Sequence, residues 1–162
     1  MPVNVFGARD ILDRALGATA MEQRAILASL RPTAEDYARV FRSDIADLAR
    51  EFYEGFWADP PAWTRRPDQT ELHVWLATAG DLASGCESSA RARKFPGGYG
   101  QIASMLRRTT VWAAWELRTP GAACGMYVDG LVCVEDRWIW LPKPWKILER
   151  AAVARHASVW SD

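Results

Sequence analysis

The sequence predicts an α+β fold, in which N-terminal helices pack on a curved antiparallel sheet ending in a tryptophan-rich meander of three strands. Apolar residues recur at helical spacing through residues 33–57, whereas side chains alternate by two in residues 111–141. Helices and strands are segregated along the chain, which favours α+β over α/β. We interpret the 162 residues as a single domain, with a helical extension at 1–32 and an α+β core at 33–162.

Helical segments occupy the first third of the chain. Each carries apolar side chains every three or four residues, which is the pattern of one buried helix face. In the longest segment Ser43 is a candidate N-cap, so we expect a break near residues 42–44. The predicted helices cover residues 4–16, 20–30 and 33–57.

A strand, a polar segment and a short helix come next. Residues 71–78 alternate as a strand, and residues 79–94 are small, polar and charged, which predicts the most mobile segment of the chain. Residues 99–108 predict a short helix with Tyr99 and Leu106 buried. A last helix is expected to begin near Pro144, because proline is favoured at the first helical position.

The meander carries the clearest strand signals. Residues 111–118 alternate between two faces, and residues 124–134 do the same after a Pro-Gly turn. Gly130 inside the second strand indicates a bulge or a close backbone approach. Residues 138–141 form the third strand, which two prolines close.

Composition limits the classes of function. The formal net charge is zero, which argues against nucleic-acid binding and a polybasic membrane anchor. No apolar run has the length of a membrane span or signal peptide, and three cysteines without a CxxC pair favour reduced thiols. We therefore expect a cytoplasmic protein. With two histidines and no cofactor motif, neither a metal site nor a cofactor is predicted.

The order of elements, with helices first, then a strand, a short helix and a terminal meander, resembles the cone-shaped NTF2-like (SnoaL-like) superfamily. The similarity covers residues 33–141, with Gly130-Leu131 and Arg137-Trp138 where such proteins often turn into their last hairpin. It is a similarity of element order rather than of a specific motif. The resemblance implies a cavity inside the curved sheet that holds acid and base groups.

Three polar residues are candidates for such a cavity. His73, Glu116 and Asp129 each fall on the mixed face of a predicted strand, beside an aromatic residue. Burial by tryptophan would raise a carboxylate pKa, and a nearby histidine would relay protons. The alternative, which is the commoner situation, is that Glu116 and Asp129 are solvated or pair with Arg118 and Arg137.

Nine tryptophans exceed what one core needs, and large aromatic side chains are favoured as binding anchors. Any one tryptophan is more often a core residue than an anchor. For the whole set we expect at least one exposed cluster, with Trp112, Trp138 and Trp140 as a ladder on the sheet. The residues predicted to bind a ligand or partner are Trp75, Trp112, Tyr127, Trp138 and Trp140.

Two functions follow as hypotheses. The first is a small non-catalytic protein that holds a protein partner on its aromatic sheet surface, of which an immunity or antitoxin protein is one form. The second is an NTF2-like enzyme, or a binder of a small apolar ligand, with His73, Glu116 and Asp129 in an aromatic pocket. A homodimer is compatible with either. The basic, rigid segment 142–146 is a further candidate contact for an acidic partner, although it more often only turns the chain.

Overall fold

The computed structural model describes residues 5–84 and 90–159, and its class is α+β as predicted. Within those residues lie seven α-helices and a four-stranded antiparallel sheet of order β1-β2-β3-β4. The helices are α1 (Val5–Gly17), α2 (Ala20–Ser29), α3 (Ala34–Val40), α4 (Ala46–Ala58), α5 (Ala79–Ala83), α6 (Tyr99–Ile102) and α7 (Lys146–Val159). The strands are β1 (Glu71–Thr78), β2 (Val111–Arg118), β3 (Met126–Val134) and β4 (Arg137–Trp140).

The break in the predicted long helix is confirmed and has a tertiary cause. Phe41 leaves α3 in an extended conformation and forms an isolated antiparallel bridge with Leu106. The N–H of Arg42 donates to the carbonyl of Met105 at 2.8 Å. These long-range hydrogen bonds replace helical ones, so α3 and α4 are separate elements.

A bulge at Gly130 divides β3 into two halves. Ala114 pairs with Asp129 and the preceding Ala113 pairs with Leu131, so Gly130 is left without a partner on β2. The bulge confirms the expectation from Gly130, but it also reverses the alternation beyond it. Leu131 therefore lies on the sheet face opposite to Asp129, whereas simple alternation places the two side chains together.

Helices and loops cover both faces of the sheet. We call the face that bears Trp115, Trp138 and Trp140 the front face, and the opposite face, which bears Trp75, Trp112 and Tyr127, the back face. The front face packs against α1, α4 and the loop before β1, through contacts that include Trp57 and Trp63. On the back face Tyr99 of α6 packs on Trp112.

The segment predicted to be most mobile, residues 79–94, contains regular structure on either side of residues 85–89, which lie outside the described residues. Thr78 caps α5 by accepting from the N–H of Asp81, and a 3₁₀ turn covers Ala92–Lys94. Cys86 and Trp160 lie outside the described residues. The last helix starts at Lys146, two residues after the predicted Pro144. In the part of the chain that the structure describes, no helix is long and apolar enough to cross a membrane.

Candidate functional site

An aromatic cleft of about 350 Å³ opens at one end of the front face and extends around the edge of β3, so that Tyr127 and Asp129 of the back face also line it. It forms because β4 pairs only with Leu131–Val134, which leaves the first half of β3 as a free edge. Side chains of α4, the loop before β1, β2 and β3 surround the space, and Trp140 closes one wall. The aromatic lining residues are Phe52, Phe56, Trp63, Trp115, Tyr127 and Trp140.

Packing among these rings fixes the shape of the cleft. Trp63 lies 5.2 Å from Trp115 and 5.1 Å from Trp140, measured between ring centroids. Phe56 meets Trp140 edge to face at 5.3 Å. Such edge-on contacts are favourable for aromatic pairs, and they hold the walls in place without a ligand. Gln23 anchors the loop that carries Trp63, because it donates to the carbonyl of Trp63 and accepts from its N–H.

Two lysines stand at the exposed side of the cleft. Lys143 and Lys146 both line it and both are exposed to solvent. Lys143 has a φ of 50°, in the left-handed region that residues other than glycine rarely adopt, and it lies between Pro142 and Pro144. The cleft thus combines an apolar interior with a basic rim.

Asp129 is the carboxylate of the cleft, and it is almost completely buried. Its Oδ2 accepts the hydroxyl of Tyr99 at 2.7 Å and the backbone N–H of Lys143 at 3.1 Å. Burial raises the pKa of Asp129, although these two hydrogen bonds and the charge of Lys143 act in the opposite direction. The expected rise of a carboxylate pKa in an aromatic environment is therefore found at this residue.

Glu116 behaves differently, although its side chain is also buried. Its Oε2 accepts from Arg118 at 2.6 Å, and its other oxygen accepts the N–H of Gly125. Burial alone would raise the pKa of Glu116, but the hydrogen bonds from Arg118 and Gly125 hold it below its ordinary value. The pairing with Arg118 was one expected alternative. The expected rise of its pKa is wrong, because hydrogen bonds from Arg118, Gly125 and Tyr127 already stabilise the charge.

His73 lies on the outer part of the back face and is 41% exposed. Its Nε2 is 3.3 Å from Glu71, and its ring stacks on Trp75 with centroids 6.1 Å apart. The ring of Trp75 in turn stacks on Tyr127 at 5.9 Å, and Lys94 lies over Trp75. We call His73, Trp75 and Tyr127 the back-face stack.

The register places the three predicted acid and base residues on one sheet face, since His73 is paired with Glu116 and Asp129 with Ala114. Their side chains nevertheless bind separate partners: Glu71 for His73, Arg118 for Glu116 and Tyr99 for Asp129. Arg137, which was the expected alternative partner for a carboxylate of this set, pairs with Asp36 instead. Only Asp129 of the three lines the cleft.

The expected exposed ladder of Trp112, Trp138 and Trp140 is wrong. All three are buried, and Trp112 lies on the face opposite to the other two. Trp112 donates its Nε1–H to Thr110, and Trp140 donates to the carbonyl of Asp129. A partly exposed aromatic cluster does exist in the back-face stack, in which Tyr127 is 44% exposed and His73 and Trp75 are half-buried.

Sequence reasoning missed most of the cleft. Phe52 and Phe56 lie in the predicted helical segment 33–57 and Trp63 in the loop after it. The sequence does not indicate that they converge, because their convergence depends on how α4 packs on the sheet. The one available signal was Lys143 between two prolines, since a rigid lysine at a strand end is an unusual feature.

Among the residues that the structure describes, no group of three or more His, Cys, Asp or Glu side chains could hold a metal ion. Comparisons of the chain with protein-family models, with curated proteins and with solved structures find no match.

Proposed function

We propose that this chain is a non-catalytic binding protein that holds a small apolar ligand in the aromatic cleft. The observation that carries the proposal is the cleft itself: about 350 Å³ of space, half enclosed, with six aromatic side chains and few polar groups. Small-molecule sites have this size and this kind of lining. The cytoplasmic setting expected from the cysteines is part of the proposal.

The alternative of an NTF2-like enzyme using His73, Glu116 and Asp129 has less support. Acid and base catalysis requires groups within hydrogen-bonding reach of one substrate. Here each of the three side chains binds a different neighbour. The element order that resembles NTF2-like proteins is compatible with a ligand cavity, and it favours neither binding nor catalysis.

Filling the cleft from its rim tests the proposal. Ala62 is exposed and lines the cleft, so Ala62→Phe should place a ring in the space without removing a core side chain. Nile red, a neutral dye that fluoresces in apolar environments, is expected to bind the wild type and to bind Ala62→Phe at least tenfold more weakly, which corresponds to about 1.4 kcal/mol.

The matched control is Ala123→Phe, which adds the same ring at an exposed alanine outside the cleft. This variant should bind the dye as the wild type does. Equal binding by all three proteins would show that the dye binds elsewhere, and absence of binding to the wild type would count against the cleft as a ligand site.

A second candidate function is the holding of a protein partner on the back-face stack. Three nearly parallel rings with a lysine over the middle one form a partly exposed aromatic surface of the kind used in interfaces. The partner could be a second copy of the chain, as in the homodimer considered above. Sedimentation of the wild type and of Trp75→Ala tests that form: a dimer that the variant loses supports it, and a monomeric wild type excludes it.

A further inference from the structure

Lys143 is held in an unfavourable backbone conformation by buried polar groups. Its N–H donates to Oδ2 of Asp129 at 3.1 Å, and the hydroxyl of Tyr53 donates to the carbonyl of Pro142 at 2.9 Å. The side chains of Asp129 and Tyr53 are both buried. A left-handed non-glycine residue that its surroundings fix so firmly is a reason to look for a functional role.

The ammonium group of Lys143 has no carboxylate partner among the residues that the structure describes. No ion pair joins Lys143 to a carboxylate anywhere in residues 5–84 and 90–159. Its charge lowers the pKa of Asp129 without forming a salt bridge with it. Lys146 at the same rim meets Glu149 only at 3.7 Å, with both side chains about half exposed.

The charges of the cleft are complementary to an anion. Its lining contains two lysines and one carboxylate, that of Asp129. Oδ2 of this carboxylate already accepts two hydrogen bonds. The remaining lining is predominantly apolar and aromatic. A ligand that matches both features has a flat apolar body and one negative group at its outer end.

We propose that the cleft binds a small apolar carboxylate, whose anionic group is held at the rim by the ammonium group of Lys143. This inference rests on the proposed ligand-binding function and specifies its ligand class. The apolar body lies among Phe56, Trp63, Trp115 and Trp140, and the carboxylate faces Lys143. Lys146 adds a second, more distant positive charge.

Two probes of nearly equal shape test the charge preference. Naphthylacetate carries a carboxylate where naphthylacetamide carries a neutral amide, and their affinities can be measured by quenching of tryptophan fluorescence. The wild type is expected to prefer the carboxylate by roughly tenfold, as one charge-assisted contact allows. In Lys143→Gln the preference should disappear while the affinity for the amide is unchanged.

Arg65→Gln is the matched control, because it removes an exposed cation that does not line the cleft. It should keep the preference of the wild type, and raising the salt concentration should weaken binding of the carboxylate only. Equal affinity of the wild type for both probes overturns the inference and leaves the proposed function standing. A preference for the carboxylate that survives in Lys143→Gln has the same consequence. Failure of both probes and of Nile red overturns the proposed function as well.

Discussion

Gly130 and Pro142 pack backbone against backbone, with no room for a side chain between them. A Cβ on Gly130 would lie 2.4 Å from Cα of Pro142, and Gly130 itself has a φ of 99°. The N–H of Leu141 donates to the carbonyl of Gly130 at 2.7 Å. The bulge therefore fixes the path of the chain that leads to Lys143 and the rim of the cleft.

Replacing this glycine tests that relationship. Gly130→Ala is expected to lower the free energy of unfolding by more than about 3 kcal/mol, because a backbone clash adds to the cost of a positive φ. Gly121→Ala is the control: it also has a positive φ, of 81°, but nothing lies near its Cβ position. It should cost only about 1 kcal/mol in urea unfolding. Similar losses in the two variants would contradict the close packing at Gly130.

The sequence was sufficient to predict the fold class, the strand at 71–78 and the bulge at Gly130, because those features depend on local periodicity and on glycine. It could not predict on which sheet face the side chains of β3 lie beyond the bulge, since one unpaired residue reverses the alternation. The burial of Trp112 could not be predicted either. Tyr99, which packs on Trp112, belongs to another element, and the alternation of a strand does not show what packs on its faces.

The candidate site was less predictable than the fold. The cleft depends on how far β4 pairs along β3, which is a tertiary feature. Glu116 and Asp129 look alike in the sequence, each on the mixed face of a strand. Their pKa values shift in opposite directions because burial dominates at Asp129, whereas at Glu116 the hydrogen bonds from Arg118 and Gly125 outweigh burial.

Two buried tyrosines allow a comparison of hydrogen bonds in the same core. Tyr99 donates to the carboxylate of Asp129, whereas Tyr53 donates to the neutral carbonyl of Pro142. Tyr99→Phe should cost about 2 kcal/mol and Tyr53→Phe about 1 kcal/mol of unfolding free energy, because a charged acceptor makes the stronger bond. Denaturant unfolding at neutral pH measures both values. A larger loss in Tyr53→Phe would contradict the importance of Asp129 as an acceptor.

The raised pKa of Asp129 predicts a pH dependence with a definite sign. The folded state binds this proton more tightly than the unfolded chain, so the contribution of Asp129 to stability falls as pH rises from its ordinary value of 3.8 through the raised folded value. The difference in unfolding free energy between wild type and Asp129→Asn should decrease across that window and be constant above it.

Glu116→Gln should show the opposite dependence. The pKa of Glu116 is lowered from 4.5, so its contribution is fully present above that pH and is lost as pH falls through the folded value. Equilibrium unfolding of the wild type and both variants between about pH 3 and pH 7 would separate the two signs. Differences that run in the same direction with pH would contradict one of the two assignments.

Arg137 and Asp36 connect the turn into β4 with α3. Asp36 is buried, accepts the N–H of Thr33 and pairs with Arg137. Arg137→Met is expected to lower the unfolding free energy by about 1–3 kcal/mol, since a buried carboxylate loses its main cationic partner. Arg50→Met removes an exposed pair with Glu54 and should leave the unfolding free energy nearly unchanged. Thermal unfolding of both variants measures the contrast, and equal effects would contradict it.

Lys143 should reveal a conflict between stability and function. Asparagine tolerates the left-handed conformation better than lysine or glutamine, and both substitutions keep the backbone N–H that Asp129 accepts. Lys143→Asn is therefore expected to melt at a higher temperature than Lys143→Gln, because its free energy of unfolding should be larger by about 0.5–1 kcal/mol. Both variants should lose the carboxylate preference. Equal melting temperatures would indicate that the loop accommodates this φ without strain. In that case the conformation would give no support to Lys143 as a positioned anion-binding group, and the binding comparison alone would decide its role.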